Sequence, residues 1–254
     1  MKYTDLIFDL YGTLVDIHTD ENSIVWEKTA IFYGFYGAHY SGSELCTAFR
    51  ALMAQKEAQA GQSYECFPDI PCETVFAQLF LNKGVDENAD ALGIQAAQLF
   101  RISSMEYIKL YPNVMESLNK LREHGYRLWL LSNAQRVFTA YELTHLGLDN
   151  VFDGIYISSD FRCRKPDLRF FRALLDEQKL DPLRCLMIGN DRNTDIAGAK
   201  NAGLDTLYMH TNITPLGQAE AEPSLLPEAA PKNCRHYEFE GCDWQQLADL
   251  ILTL

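Results

Sequence analysis

The chain has 254 residues, 47% of them hydrophobic, and a formal net charge of −13, which suits one large α/β-sized domain or a domain with a smaller insert. So acidic a surface repels a phosphate backbone and an anionic bilayer, so nucleic acid and membranes are not expected partners, whereas a small anion can still meet local positive charge in a pocket. Seven cysteines without a CxxC pair, no signal-like start and no run of 18 apolar residues argue against a zinc site, a disulfide framework and a spanning helix, and make a cytoplasmic location the expectation.

Leu6-Ile7-Phe8 is a short apolar run that ends at Asp9 and enters Leu10-Tyr11-Gly12-Thr13-Leu14-Val15. This reads as a buried strand followed by a glycine turn. Residues 22–105 differ: Leu45, Phe49, Leu52 and Met53 fall at helical spacing, with Gly34, Gly37, Gly42, Gly61 and Gly84 as breaks, and no alternating strand stands out. The expectation is an all-helical insert over residues 17–107 within an α/β core of residues 1–16 and 108–254.

From Tyr111 onward the rhythm changes. Helices are predicted over 112–124, 137–146, 167–179 and 194–202, with strands over 127–131, 154–158, 185–188 and 205–209 between them. Four prolines make 214–233 a long loop, 236–239 reads as an edge strand, and 244–254 closes the chain as an amphipathic helix. Strands separated by helices of this length imply a Rossmann-like parallel sheet, whose ligands bind beyond the carboxyl ends of the strands.

The residues at or just beyond those ends, together with Lys165, which sits instead before a helix, share a chemistry. Asp9-x-Tyr11-Gly12-Thr13, Ser132-Asn133, Lys165-Pro166 and Gly189-Asn190-Asp191 with Asp195 supply three carboxylates, a lysine, two hydroxyls and a glycine turn. Converging carboxylates repel unless a cation lies among them, and hard oxygen donors suit Mg²⁺. A carboxylate can also be a nucleophile, a lysine can stabilise charge on a transferring phosphoryl group, and Gly12 allows a turn whose amides face an anion. His18 is read as structural, and Tyr33, Tyr36, His39 and Tyr40 are candidate substrate contacts in the insert.

This ordered set resembles the haloacid dehalogenase-like (HAD) hydrolase superfamily over residues 1–16 and 108–212, with the insert in the place of that family's helical cap. The resemblance implies Asp9 as nucleophile within a catalytic set of Asp9, Tyr11, Thr13 and Lys165. Gly12, Ser132, Asn133 and Lys165 would hold the transferring group. Asp9, the Tyr11 carbonyl, Asp191 and Asp195 would serve Mg²⁺, with Asn190 as an alternative in the metal shell. One position departs from the pattern of the family's phosphatases: Tyr11 stands where they carry an acid/base aspartate. A phenol with a pKa near ~10 is a poor base at neutral pH. The resemblance implies a Mg²⁺-dependent phosphatase acting on a small phosphorylated metabolite through an aspartyl intermediate. Alternatives are a metal-independent 2-haloacid dehalogenase, which shares the tyrosine, and a non-catalytic binder of a phosphorylated ligand.

Overall fold

A computed structural model describes residues 2–61, 67–214 and 234–254. The loop expected over 214–233 lies, past its first residue, outside the described residues. In chain order, β1 (Asp5–Phe8) leads through the glycine turn to β2 (Val15–Thr19). Helices α1 (Ser23–Phe35), α2 (Gly42–Gln59), α3 (Cys72–Leu81) and α4 (Ala89–Ser104) follow, and β3 (Met105–Leu110) returns beside β2. Then come α5 (Val114–Glu123), β4 (Arg127–Ser132), α6 (Arg136–His145), β5 (Gly154–Ile157), the one-turn α7 (Ser158–Phe161) and α8 (Leu168–Glu177). The chain ends with β6 (Cys185–Gly189), a π-helical turn over Arg192–Ile196, α9 (Ala197–Asn201), β7 (Asp205–His210), β8 (His236–Glu240) and α10 (Trp244–Thr253).

The main sheet has the order β5-β4-β1-β6-β7-β8, and every neighbouring pair is parallel. Phe8 lies opposite both Leu130 and Ile188, so the ends of β1, β4 and β6 are level and Asp9 emerges at the sheet's centre. Side chains alternate across the sheet. Leu6 and Phe8 join Leu118, Leu121, Trp244 and Leu247 of α5 and α10 in one layer. Ile7 joins Phe170, Phe171 and Leu174 of α8 in the other. A strand buried on both faces is expected to be apolar, as β6 and Leu6-Ile7-Phe8 of β1 are. The buried Asp5 that opens β1 is met by Arg127 and the Trp129 indole N–H.

The helices α1–α4 pack around a core of their own that includes Trp26, Tyr33, Phe76, Phe80 and Phe100. Tyr33 stacks on Phe80 with ring centres 3.9 Å apart, and its hydroxyl donates to the Phe76 carbonyl at 2.7 Å. The Tyr40 hydroxyl donates to the Leu79 carbonyl at 2.9 Å. Both tyrosines, expected as substrate contacts, are therefore turned into the packing of the insert, while Tyr36 and His39 are exposed. The antiparallel β2–β3 ribbon, which the sequence reading lacked, connects insert and core and straddles the boundaries expected at 16/17 and 107/108. The helix expected at 194 begins as the π-helical turn two residues earlier, because the Asp191 carboxylate caps the amides of Asn193 and Thr194.

At the far end of the sheet the Asp205 carboxylate is held by the Lys2 ammonium, by the Tyr3 hydroxyl at 2.6 Å and by the Arg235 amide at 2.7 Å. Among the described residues, six cysteines are free thiols and no helix is long and apolar enough to cross a membrane.

Candidate active site

Asp9 follows β1 directly, and its amide donates to the Ile188 carbonyl at 3.0 Å, which ties the ends of β1 and β6 together. The Asp9 Oδ1 accepts from Lys165 Nζ at 2.6 Å. Oδ2 has a long hydrogen bond from Thr13 Oγ1, at 3.4 Å. The Lys165 side chain is only 1% exposed, and its ammonium also donates to the Leu131 carbonyl at 2.7 Å and lies 2.6 Å from Asp195 Oδ1. The ammonium thus makes two hydrogen bonds and one close ion-pair contact, and Asp195 Oδ1 accepts no hydrogen bond among the described residues. The Asn133 side chain fixes the lysine's backbone from both sides: its Oδ1 accepts from the Lys165 amide at 2.7 Å and its Nδ2 donates to the Lys165 carbonyl at 3.0 Å.

Two glycines make room for this arrangement. Gly12 has φ 85°, and a Cβ there would lie 2.2 Å from Asn190 Nδ2. A Cβ on Gly189 would lie 2.3 Å from Asp195 Oδ2, the oxygen that accepts from the Asp191 amide at 3.0 Å. The Gly12 amide itself donates to the Val15 carbonyl at 2.8 Å inside the turn. What glycine provides here is clearance for Asn190, whose Oδ1 takes a hydrogen bond from Thr13 Oγ1 at 3.3 Å.

Asp9, Tyr11, Asn133, Lys165, Asp191 and Asp195 all line one cavity of about 220 Å³. A larger cavity of about 470 Å³, bordered by Ile102, Val137 and Tyr141, contains none of the motif residues except through the neighbours of Tyr11 described below. In the small cavity three carboxylates face a single ammonium. Burial pushes Asp195 up to about 7 against the opposing pull of Lys165, with the Asp9 charge adding to the rise. Burial alone would lower Lys165, but the charges of Asp195 and Asp9 outweigh it and raise it. So many acids around one cation leave an excess of negative charge that a divalent ion would neutralise, and carboxylate oxygens are the hard donors that Mg²⁺ takes. The donor set therefore fits the metal. Ser132 adds a fully buried hydroxyl with no partner among the described residues, which is the condition of a group kept for a ligand.

Tyr11 is bound elsewhere. Its hydroxyl meets Thr139 Oγ1 at 3.0 Å and donates to Glu142 on α6. Glu142 is gripped in turn by Arg101 of α4, with Nε at 2.6 Å and the second guanidinium nitrogen at 3.1 Å. Burial above all, and then the Glu142 charge, raise the phenol well beyond its ordinary pKa. Arg101, Thr139 and Glu142 carry no motif and lie 90 to 131 residues from Tyr11, so nothing local in the sequence announces them.

Residues 6–203 match a family described as haloacid dehalogenase-like hydrolase. The chain belongs to that family. This haloacid dehalogenase-like hydrolase is 33% identical over 119 residues to the glyceraldehyde 3-phosphate phosphatase of Methanothermobacter thermautotrophicus, a match covering 47% of the chain and 53% of that relative. It is 29% identical over 220 residues to the phosphoglycolate phosphatase of Agrobacterium fabrum, covering 87% of the chain and 86% of the relative. The hydrolase thus spans about half the length of the archaeal relative and most of the bacterial one. Its fold is also that of the 2-haloacid dehalogenase from Pseudomonas syringae pv. Tomato DC3000, with TM-score 0.65, 20% identity and 99% of each chain covered.

Proposed function

We propose that this hydrolase is a Mg²⁺-dependent phosphatase of small phosphorylated metabolites, with Asp9 as nucleophile. The observation that carries the reading is the pairing of Asp9 and Asp195 with one buried lysine in a single small cavity that Asp191 also lines. Phosphatase names among its relatives support it. The cavity, at about 220 Å³, suits a phosphoryl group on a short carbon skeleton.

Asp9 would attack the phosphorus through a carboxylate oxygen, releasing the alcohol or acid and leaving an aspartyl-phosphate that water then hydrolyses. Lys165, already against Asp9, would balance charge gathering on the phosphoryl oxygens, together with the hydroxyls of Thr13 and Ser132 and the backbone beside Asn133. Asp9, the Tyr11 carbonyl, Asp191 and Asp195 would hold the ion directly or by orienting its ligands, with Asn190 as the alternative. Bound there, Mg²⁺ supplies charge neutralisation to the acids and to the phosphoryl group. Helices α1–α4 would act as the cap that shields the site from water.

Tyr11 does not replace the missing acid/base. Its proton is committed to Glu142, and its raised pKa makes it a weak acid. The reading therefore includes a substrate whose leaving group departs with little protonation. A cytoplasmic enzyme working on free metabolites is the setting proposed. The test is phosphate release from p-nitrophenyl phosphate with Mg²⁺ and with chelator. Metal-dependent release is expected; a panel of phosphate esters left intact by a protein that binds Mg²⁺ overturns the reading. The tyrosine at position 11 specifically favours a second reading, 2-haloacid dehalogenase. Halide release that persists in chelator would establish that one instead.

A further inference from the structure

Residues 67–70 of the insert do more than lead into α3. They lie along the loop that ends at Lys165. The Phe67 carbonyl accepts from the Arg164 amide at 2.9 Å, the Asp69 amide donates to the Arg162 carbonyl at 3.2 Å, and Pro68 forms an antiparallel bridge with Cys163. The Phe67 amide donates to Asp167 Oδ2 at 3.0 Å, just beyond the lysine.

At the centre of this contact is a buried carboxylate, Asp69, 5% exposed. Its Oδ1 accepts from Gln135 Nε2 at 2.7 Å, and its Oδ2 accepts from the Ser158 hydroxyl. Ser158 Oγ in turn accepts from the Ala134 amide at 2.9 Å, and Gln135 Oε1 accepts from the Cys72 amide at 2.8 Å. Asp69 thus holds the 132–135 loop through its side chain and the 162–165 loop through its backbone. Asn133 then joins those two loops by its paired hydrogen bonds to Lys165.

The choice of residue is informative. Burying a carboxylate is unfavourable unless several donors meet it, and burial does raise this one. A carboxylate offers only acceptors, so both Gln135 and Ser158 must present their hydrogens to it, whereas an amide could turn over. Contact alone between insert and core could be made by apolar groups at less cost. We infer that Asp69 is a positioning residue: its carboxylate holds Gln135 and Ser158 while its amide holds the Lys165 loop, so that the insert keeps the Lys165 loop and the Asn133 loop in mutual register. On the phosphatase reading, from which Lys165 takes its role, the phosphoryl cradle is complete only while residues 67–69 are seated.

The experiment compares wild type, Asp69→Ala, Asp69→Asn and Ser158→Ala in two measurements. The first is steady-state hydrolysis of p-nitrophenyl phosphate with Mg²⁺. Misplacement by about an ångström is worth up to ~10²-fold, so Asp69→Ala should lower kcat by about 10- to 100-fold with KM within about twofold. Asp69→Asn, which keeps one acceptor, should recover part of that loss. The second is amide hydrogen exchange read by mass spectrometry, which needs no turnover. Peptides covering 158–168 should exchange faster in Asp69→Ala while those covering β1 and β6 keep wild-type protection. Should Asp69→Ala fail to fold, Asp69→Asn and Ser158→Ala carry the same comparison with smaller shifts. An unchanged kcat, or exchange that is unchanged or raised alike throughout the molecule, overturns the inference. If the wild type releases no phosphate, the phosphatase reading falls by itself and the exchange measurement decides the positioning role alone.

Discussion

Two buried clusters of charge lie within reach of Tyr11, and they are built on opposite principles. Around Lys165, the carboxylates of Asp9 and Asp195 share one ammonium, and Asp191 lines the same cavity without a cation of its own among the described residues. Beside the phenol, one guanidinium grips one carboxylate in a two-bond pair, and the tyrosine hydroxyl completes it. The second cluster is balanced and needs nothing more. The first carries surplus negative charge that folding alone does not satisfy. On the proposed reading, the difference separates a place where chemistry is done from a joint that binds α4 to α6.

The comparison can be broken most directly at Asp9, the proposed nucleophile. Asp9→Asn keeps the shape but removes the charge, and turnover of p-nitrophenyl phosphate should fall at least ~10³-fold with the circular dichroism spectrum unchanged. Retention of a tenth of the activity would remove Asp9 from the reaction. The balanced cluster should respond in stability. Glu142→Ala leaves a half-buried guanidinium without its partner and should lower urea-unfolding stability by about 2 kcal/mol. Arg101→Leu combined with Glu142→Leu should recover much of that loss, since a pair removed together strands no charge. A Glu142→Ala protein as stable as wild type would mean that the joint holds nothing.

The surplus charge predicts a third result. Mg²⁺ at about a hundred times its Kd should stabilise the fold by about 2.7 kcal/mol, seen as a thermal shift that chelator abolishes. Absence of any shift would show that the acids tolerate one another without an ion. The smallest effect belongs to a control remote from both clusters. Burial works to raise Asp205, but its bonds from Lys2 and Tyr3 outweigh this and hold it below the usual carboxylate range. A carboxyl depressed in the folded state stabilises above its unfolded pKa and loses that contribution as pH falls through the folded value. Asp205→Asn should therefore cost about 1 kcal/mol at pH 7, and the gap from wild type should close on acidification below the ordinary aspartate range. A difference that stays constant with pH would assign the effect to packing.

The sheet and the residues at its strand ends were legible because topology fixes them. An apolar run buried on both faces ends at the edge of the sheet, and Asp9, Ser132 and Asp191 occur at or just past the ends of parallel strands, while Lys165 stands in the loop before α8. The β2–β3 ribbon left a trace in the alternation Val15-Asp16-Ile17-His18, overshadowed by the glycine turn before it. Tyr11's partners left none. Its fate depends on Glu142, 131 residues away, and no periodicity encodes which helix will pass a given loop. Asp69 is equally silent, a lone acid between Pro68 and Ile70 whose partners Gln135 and Ser158 are 66 and 89 residues distant. Local pattern reports what an element is; long-range contact decides what it touches.

The two clearances described earlier, at Gly12 for Asn190 and at Gly189 for Asp195, set terms for anyone redesigning this enzyme. At 189 the obstacle is the Asp195 side chain alone, so diversity there must be sampled together with 195. At 12 a smaller residue 190 would free the volume, but the left-handed φ of 85° still strains any side chain, so glycine is required twice over.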